Sequence, residues 1–442
     1  MRQPETAPTL EAVLRSDALR NALPRIIEAR VGPLIDGRYL HWDELRHRTP
    51  PAGLTLQEWW GGIKLARANG LREFPLRSSS GRPFVYALPD PVLETLHWLD
   101  QHAAGEVVVT ETIKEAGDRR RYLVNSLIEE AITSSQLEGA SSTRQVAKEM
   151  LRSGREPRDR SERMILNNYQ AMSALREIVP APLAPDRVCR LHAILTEGTL
   201  DNPDAAGRLQ RPDEERVVVA DGEGAVVHVP PPAGDLQHRQ ESMCAFANGA
   251  GVDGFMHPVV RAILLHLWLA YDHPYEDGNG RTARALFYRE MLAEGYWLFE
   301  YVTISRLLVR APAQYSRAFL FTETDEFDAT YFILHQLSVI RRAVEELMTY
   351  LRRKMAETRE TIRLLRRADL NHRQIALLTH ALRHSDAVYT IQSHATSHRV
   401  VRQSARTDLL DLVARGLLEQ HLVGRKFVFR PIPDLARRLD AS

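Results

Sequence analysis

The sequence predicts a mainly α-helical fold in two or three domains, and three observations carry that expectation. Apolar residues recur at helical spacing in most long segments, convincing strand patterns are few and short, and 442 residues exceed what one ordinary hydrophobic core organises. Hydrophobic residues at 44% and charged residues at 26% match a folded soluble chain and exclude a disordered or collagen-like one. Lys+Arg at 58 against Asp+Glu at 57 rules out a chain built throughout to coat nucleic acid or anionic lipid. Cys189 and Cys244 stand outside any CxxC or Cys/His cluster, so neither a disulfide framework nor a zinc finger is supported. The start lacks an apolar leader, and the most apolar stretch, Ala262 to Tyr271, is too short to span a bilayer. The expected location is therefore cytoplasmic, with no membrane partner.

Residues 1–115 mix helical pieces with Pro- and Gly-punctuated turns; Arg77 to Pro91 reads as a small hairpin followed by a helix. A core region, 116–345, opens with a helix over roughly 120–139 that places Leu123, Leu127 and Ala131 on one face and stops at Gly139. A second helix follows Arg160, and a third includes Val188 to Leu195. Between Arg216 and Pro232, two short β-branched runs flank Asp-Gly-Glu-Gly and end in three prolines, which cannot continue a ladder; this is a hairpin. Residues 346–367 continue an increasingly charged helix (Arg341, Arg342, Arg352, Arg353, Lys354) that reads as a linker. In 368–442, helices around Arg373 to Leu382 and Arg406 to Gly416 precede a hairpin turning at Gly424-Arg425-Lys426, the order of a winged helix-turn-helix domain. From Leu351 onward there are 18 Lys+Arg against 9 Asp+Glu, so a net charge of about +9 is concentrated in this region.

The chemistry concentrates in the core. Pro258 to Tyr271 reads as a buried helix that must end at His273, because Pro274 pushes its predecessor out of the helical region. Tyr-Glu-Asp-Gly-Asn-Gly follows, and a helical pattern resumes from Arg281 to Leu292. Gly278 and Gly280 allow successive amides to converge, and the next helix N-terminus adds donors and positive potential, which together make an anion cradle. Arg281 and Arg284 lie where the helix dipole disfavours cations, and a polyphosphate would compensate them. Asp277 is suited to hold Mg²⁺ beside phosphate oxygens, and His273 to accept a proton from an attacking hydroxyl. The loop lacks the Gly-Lys-Ser/Thr of a P-loop, the alternating acids of an EF-hand and the protein-kinase signatures. His266 and His273 have helical spacing but no third metal ligand nearby in sequence.

The run His-Pro-Tyr-Glu-Asp-Gly-Asn-Gly-Arg-Thr-Ala-Arg, His273 to Arg284, resembles the signature of the Fic family, His-x-Phe-x-Asp/Glu-Gly-Asn-Gly-Arg-x-x-Arg, departing only in Tyr275. The likeness extends to Arg190–Arg211, to the hairpin and to a C-terminal winged helix, covering roughly 115 to 435. It implies a Fic-type helical core and transfer of AMP from ATP to a protein hydroxyl on Ser, Thr or Tyr. It assigns His273 as general base, Asp277 to Mg²⁺, and Gly278, Asn279, Gly280, Arg281 and Arg284 to the phosphates. It further implies that the hairpin is a flap that docks the target segment by strand addition at Val217, Val218 and Val219. Ser134-Ser-Gln-Leu-Glu138-Gly139 resembles the family's inhibitory segment, with Glu138 placed to pair with Arg284 where the γ-phosphate must bind. Tyr275 would need a partner for its hydroxyl if buried. The alternative reading is a DNA-binding regulator whose nucleotide site senses or is inactive, with His398, Arg399, Arg402 and Arg406 offered to phosphates by a helix from Gln392 to Val413. A winged helix can equally dock protein.

Overall fold

A computed structural model describes residues 2–15, 17–104, 116–220, 224–367, 369–383, 386–423 and 426–440. The stretch 105–115, the expected hairpin turn at Asp221 to Glu223 and the turn at Gly424–Arg425 lie outside them. The chain forms two compact units, Met1–Leu347 and Met348–Ser442. Among the described residues no helix is long and apolar enough to cross a membrane.

The first unit opens with α1 (Leu10–Leu14), α2 (Asp17–Glu28), α3 (Trp42–Leu45) and α4 (Leu56–Ala68). A hairpin follows, β1 (Arg72–Arg77) with β2 (Pro83–Tyr86), and then α5 (Asp90–Leu99), as the turn residues of that stretch led us to expect. Helix α4 starts where it does because Thr55 and Glu58 form a reciprocal capping box. The core proper comprises α6 (Ala116–Leu137), α7 (Arg144–Ser153), α8 (Arg160–Ile178) and α9 (Pro185–Thr196). Strands β3 (Val219–Ala220) and β4 (Val226–His228) come next, followed by α10 (Leu236–Ala247), α11 (Pro258–Asp272), α12 (Asn279–Ala293), α13 (Ser305–Arg310) and α14 (Pro312–Thr324). Helix α15 (Thr330–Arg367) begins in this unit. Helices α11 and α12 pack on each other at the centre, with α12 also against α6, α8 and α9. Their residues from Val259 to Leu269 and from Arg281 to Met291 are almost all buried, so this hairpin is the wall on which the site stands.

The N-terminal hundred residues belong to the same unit. Lys64 Nζ lies 2.8 Å from Asp325 and 2.7 Å from Glu326, and Arg67 stacks 3.5 Å over the Tyr39 ring while donating to Tyr331 Oη. Backbone bonds from Val85 to Phe327 and from Ala329 to Val85 tie β2 to the connection before α15. Burial opposes the Lys64 charge, but the two carboxylates outweigh it and its pKa is raised.

Two expectations need correcting. The flap strand is only Val219–Ala220, because the Val217 amide turns to the Gln210 side chain and Val218 stays outside the ladder. In the second unit the expected Gln392–Val413 helix is two helices, α17 (Ile391–His398) and α18 (Arg402–Ala414), because Arg399 adopts a left-handed φ of 51°. That unit also contains α16 (His372–Arg383), the hairpin β5 (Leu418–Val423) with β6 (Lys426–Pro431), and α19 (Leu435–Asp440). Its core joins Leu378, Leu409, Leu412, Leu418 and Phe429. Asp408 accepts from Arg373 at 2.7 Å and from the His394 ring at 3.2 Å, fixing α16 and α17 against α18.

Candidate active site

Helix α11 ends at His273, which takes a left-handed conformation (φ 44°, ψ 52°) that few non-glycine residues adopt. The loop from Pro274 to Gly278 then reverses the chain into α12. Its carbonyls are held from outside by two donors: Gln210 N–H donates to Pro274 C=O at 2.9 Å, and the His192 ring on α9 donates from Nε2 to Asp277 C=O at 2.8 Å. Gly207 N–H donates to His192 Nδ1 at 3.0 Å, which settles that tautomer, and burial pushes the His192 pKa down to about 4. His192 also stacks on Tyr275, ring centroids 3.7 Å apart, and Tyr275 is fully buried with its hydroxyl accepting from Gln240 at 2.9 Å. The substituted tyrosine thus has the partner its hydroxyl requires.

His273 Nδ1 lies 3.4 Å from the Ala270 carbonyl, so the tautomer protonated there keeps the Nε2 lone pair for an incoming proton. Burial lowers its pKa to about 4; the Ala270 carbonyl opposes this, the nearby His228 reinforces it, and the imidazole is neutral at pH 7.

Helix α12 starts at Gly278 (φ 85°) without a side-chain cap, which leaves first-turn amides available to an anion. An anion from the chain itself occupies the place. A Cβ built on Gly280 would stand 2.2 Å from Glu138 Oε1, and that carboxylate oxygen lies 2.9 Å from Arg284 Nη1. Arg284 is almost wholly buried; its Nε and Nη2 donate to Ser134 Oγ and Ser134 C=O, both at 2.9 Å. Its Nη1 has no well-aligned hydrogen-bond acceptor, so the ion pair leaves one buried donor unsatisfied. Gly139 (φ 89°) closes α6, with Ala140 N–H returning to Ser135 C=O, and this stop fixes the direction in which Glu138 leaves the helix.

Two expected phosphate ligands are engaged elsewhere. The Asn279 amide is buried and bonds both ways to the Tyr275 backbone, at 2.9 and 2.8 Å, so it shapes the loop. Arg281, fully buried, donates to Leu195 C=O at 2.9 Å and to Asp277 Oδ2 at 3.3 Å, with Nε unpaired. Asp277 also accepts from Gly278 N–H and keeps 41% of its side chain exposed. One half-exposed carboxylate suits Mg²⁺, which takes few protein ligands beside phosphate oxygens; among the described residues no three acidic, His or Cys side chains gather as a cation cage.

Sequence reasoning missed Arg216 and His228. Arg216 donates to Asp272 C=O at 2.5 Å, to His273 C=O at 2.9 Å and to Pro231 C=O at 2.9 Å. Charge and position in the hairpin gave no sign of it, since the acceptors are backbone atoms of a remote helix end.

A left-handed histidine, an uncapped helix start and two buried arginines meet at one loop on a helical scaffold, an arrangement with the chemistry to receive an anion. Residues 182–291 match the model of the Fic/DOC family, and the chain therefore carries a Fic domain. Its relatives include the Protein adenylyltransferase Fic of Drosophila ananassae (41% identical) and of Culex quinquefasciatus (39%). Each match runs over 69 residues, 16% of this chain and 14% of the relative, so the chain spans about one seventh of the curated relatives it matches. A Fic family protein from Desulfovibrio desulfuricans G20 has a similar structure, with a TM-score of 0.56 and 17% identity over 79% of this chain and 98% of that one. Fic-1 from C. elegans gives a TM-score of 0.51 and 15% identity over 78% and 89%. Both show the helical fold.

Proposed function

We propose that the chain is a protein adenylyltransferase that transfers AMP from ATP to a Ser, Thr or Tyr hydroxyl of a target protein and is held off by Glu138. The observation that carries this reading is the Glu138 carboxylate seated over Gly280 and paired with buried Arg284, an internal anion filling an anion site beside a neutral imidazole. In the reaction, the target hydroxyl oxygen attacks the α-phosphorus, its proton passes to His273 Nε2, and the bond to the β-phosphate oxygen breaks to release pyrophosphate. The first-turn amides of α12 and Arg284 would hold the phosphates, with the unsatisfied Nη1 gaining an acceptor. Asp277 would hold Mg²⁺, which supplies charge neutralisation on the phosphates. Arg281 orients Asp277. The flap, with its edge at Val219–Ala220, would register the target backbone by strand addition.

The test is incubation with α-labelled ATP and Mg²⁺, with and without cell lysate, of the wild type, Glu138→Gly and His273→Ala. Label on protein above wild type in Glu138→Gly and none in His273→Ala supports the reading; equal labelling in all three rejects both assigned roles.

A second reading concerns the C-terminal unit, which we read as a winged helix that binds duplex DNA. Three residues separate α17 from α18, and Arg399, Arg402 and Arg406 are exposed there without an ion pair among the described residues. Full-length protein should bind duplex with an affinity that falls steeply with salt, and Arg402→Ala should reduce the slope by about one. No binding at low salt leaves protein docking as this unit's role.

A further inference from the structure

The flap stands on two side chains that no motif announced. His228, at the end of β4, lies with Nδ1 2.8 Å from Glu323 Oε2 on α14 and Nε2 2.7 Å from Tyr271 C=O on α11. Arg216, at the start of the flap, reaches the next two carbonyls, Asp272 and His273, and also Pro231 after β4. Three successive carbonyls at the negative end of α11 thus accept from the two feet of the flap, and the last of them belongs to the assigned base.

Both acceptors at His228 are oxygens, and a neutral imidazole donates from only one nitrogen, so both contacts are hydrogen bonds only when the ring carries its second proton. We propose that His228 is a positioning residue: its imidazolium, with Arg216, pegs the target-docking flap to the C-terminal end of α11, so that docking requires His228 charged while proton abstraction requires His273 neutral. The inference rests on the functional reading above for the flap's purpose, but the peg itself rests on geometry alone. The groups facing His228 are Glu323 from α14, Tyr271 (ring centroid 4.8 Å away) and Asp272 from α11, and His273 beyond it. Asp272 is already paired with Arg239 at 2.6 Å. Burial opposes the charge on His228, yet Glu323, the Tyr271 carbonyl and Asp272 together raise its pKa above the ordinary 6.5. A raised value means that the anchoring is complete below 6.5 and is lost as pH rises through the folded pKa. The same positive charge helps to keep His273 deprotonated.

The experiment uses the full chain with histidines labelled at Cε1, His228 being assigned from the missing signal of His228→Gln. We expect the His228 resonance to titrate above 6.5, and amide protection at 217–220 and 224–229, corrected for intrinsic exchange, to fall by about threefold or more through that pH. Glu323→Gln, whose amide can donate to a neutral ring, should bring the His228 pKa below 6.5 and flatten the dependence, whereas His228→Phe should lower protection at every pH. On the Glu138→Gly background, label entering lysate protein from α-labelled ATP should fall over the same pH range relative to AMP released to water. A His228 titration at or below 6.5, or flap exchange indifferent to pH and to His228→Phe, overturns the peg. If Glu138→Gly labels nothing while exchange follows the His228 titration, the peg stands and the functional reading falls.

Discussion

With its pKa pushed down to about 4 by burial, His273 is already in the form a base needs, and the cost of that burial falls on its protonated state. On the proposed mechanism, kcat/KM should hold its value as pH falls past 6.5, with the acid limb of the base appearing only towards 4; a limb centred at 6.5 would show an exposed imidazole. His273→Ala should reduce AMP transfer by on the order of 10²–10⁴-fold with the circular dichroism spectrum unchanged. Gly280 separates the two sides of the cradle differently. Gly280→Ala would drive a methyl against the Glu138 carboxylate and break the pair with Arg284, yet on the proposed mechanism it would also intrude where the phosphates are to bind. Labelling assays should therefore find Gly280→Ala inactive where Glu138→Gly is activated, although both lose the ion pair. The place of the loop, between a helix stopping at His273 and one resuming at Asn279, was legible in the sequence, because the motif lies in one contiguous run from His273 to Arg284. What the run could not tell was how Asn279 and Arg281 use their polar atoms: their acceptors are the Tyr275 backbone and the Leu195 carbonyl, and only the folded loop brings them close.

The loop between α11 and α12 keeps its shape because its carbonyls are bound from outside, leaving its inner face to amides. His192 is the clearest case, bridging Gly207 N–H and Asp277 C=O, 85 residues apart from the latter in sequence. His192→Phe can keep the stack on Tyr275 but leaves both backbone groups unpaired, and it should cost about 1–3 kcal/mol in denaturant unfolding and lower transfer without removing the base. Elements were legible where periodicity and punctuation agree: α6 stopping at Gly139, α11 stopping at His273 before Pro274, the hairpin before α5. They were misread where a side chain outcompetes the ladder, as Gln210 does for the Val217 amide, and where a non-glycine residue turns left-handed, as Arg399 does between α17 and α18. Neither event leaves a compositional trace.

Across the molecule, burial holds His41, His192, His273 and His335 at about 4 and His266 at about 3. Each folded-state value lies below the unfolded value near 6.5, so stability is fully present above 6.5 and is lost as pH falls towards 4, where the unfolded chain binds protons first. His228, shifted the other way, opposes the trend only slightly as one group against five. Urea midpoints measured at pH 7, 6 and 5 should decline progressively; a flat profile would contradict these buried neutral rings. Charge also divides along the chain, since 18 Lys+Arg against 9 Asp+Glu from Leu351 onward leave the remainder with 40 against 48. The N-terminal hundred residues, whose role composition did not reveal, are fastened by buried Lys64 to Asp325 and Glu326, by Tyr39 to Asp328 and by Arg67 to the Tyr331 hydroxyl, a network assembled from residues some 260 to 290 positions apart. All of this frames one loop, and the claim about that loop meets its most direct test in which phosphorus the protein product keeps. Glu138→Gly protein given α-labelled ATP with Mg²⁺ and lysate should label protein, and the same protein given γ-labelled ATP should not. Label retained from the γ-position, or α-label that persists undiminished after His273→Ala, would contradict AMP transfer at this site.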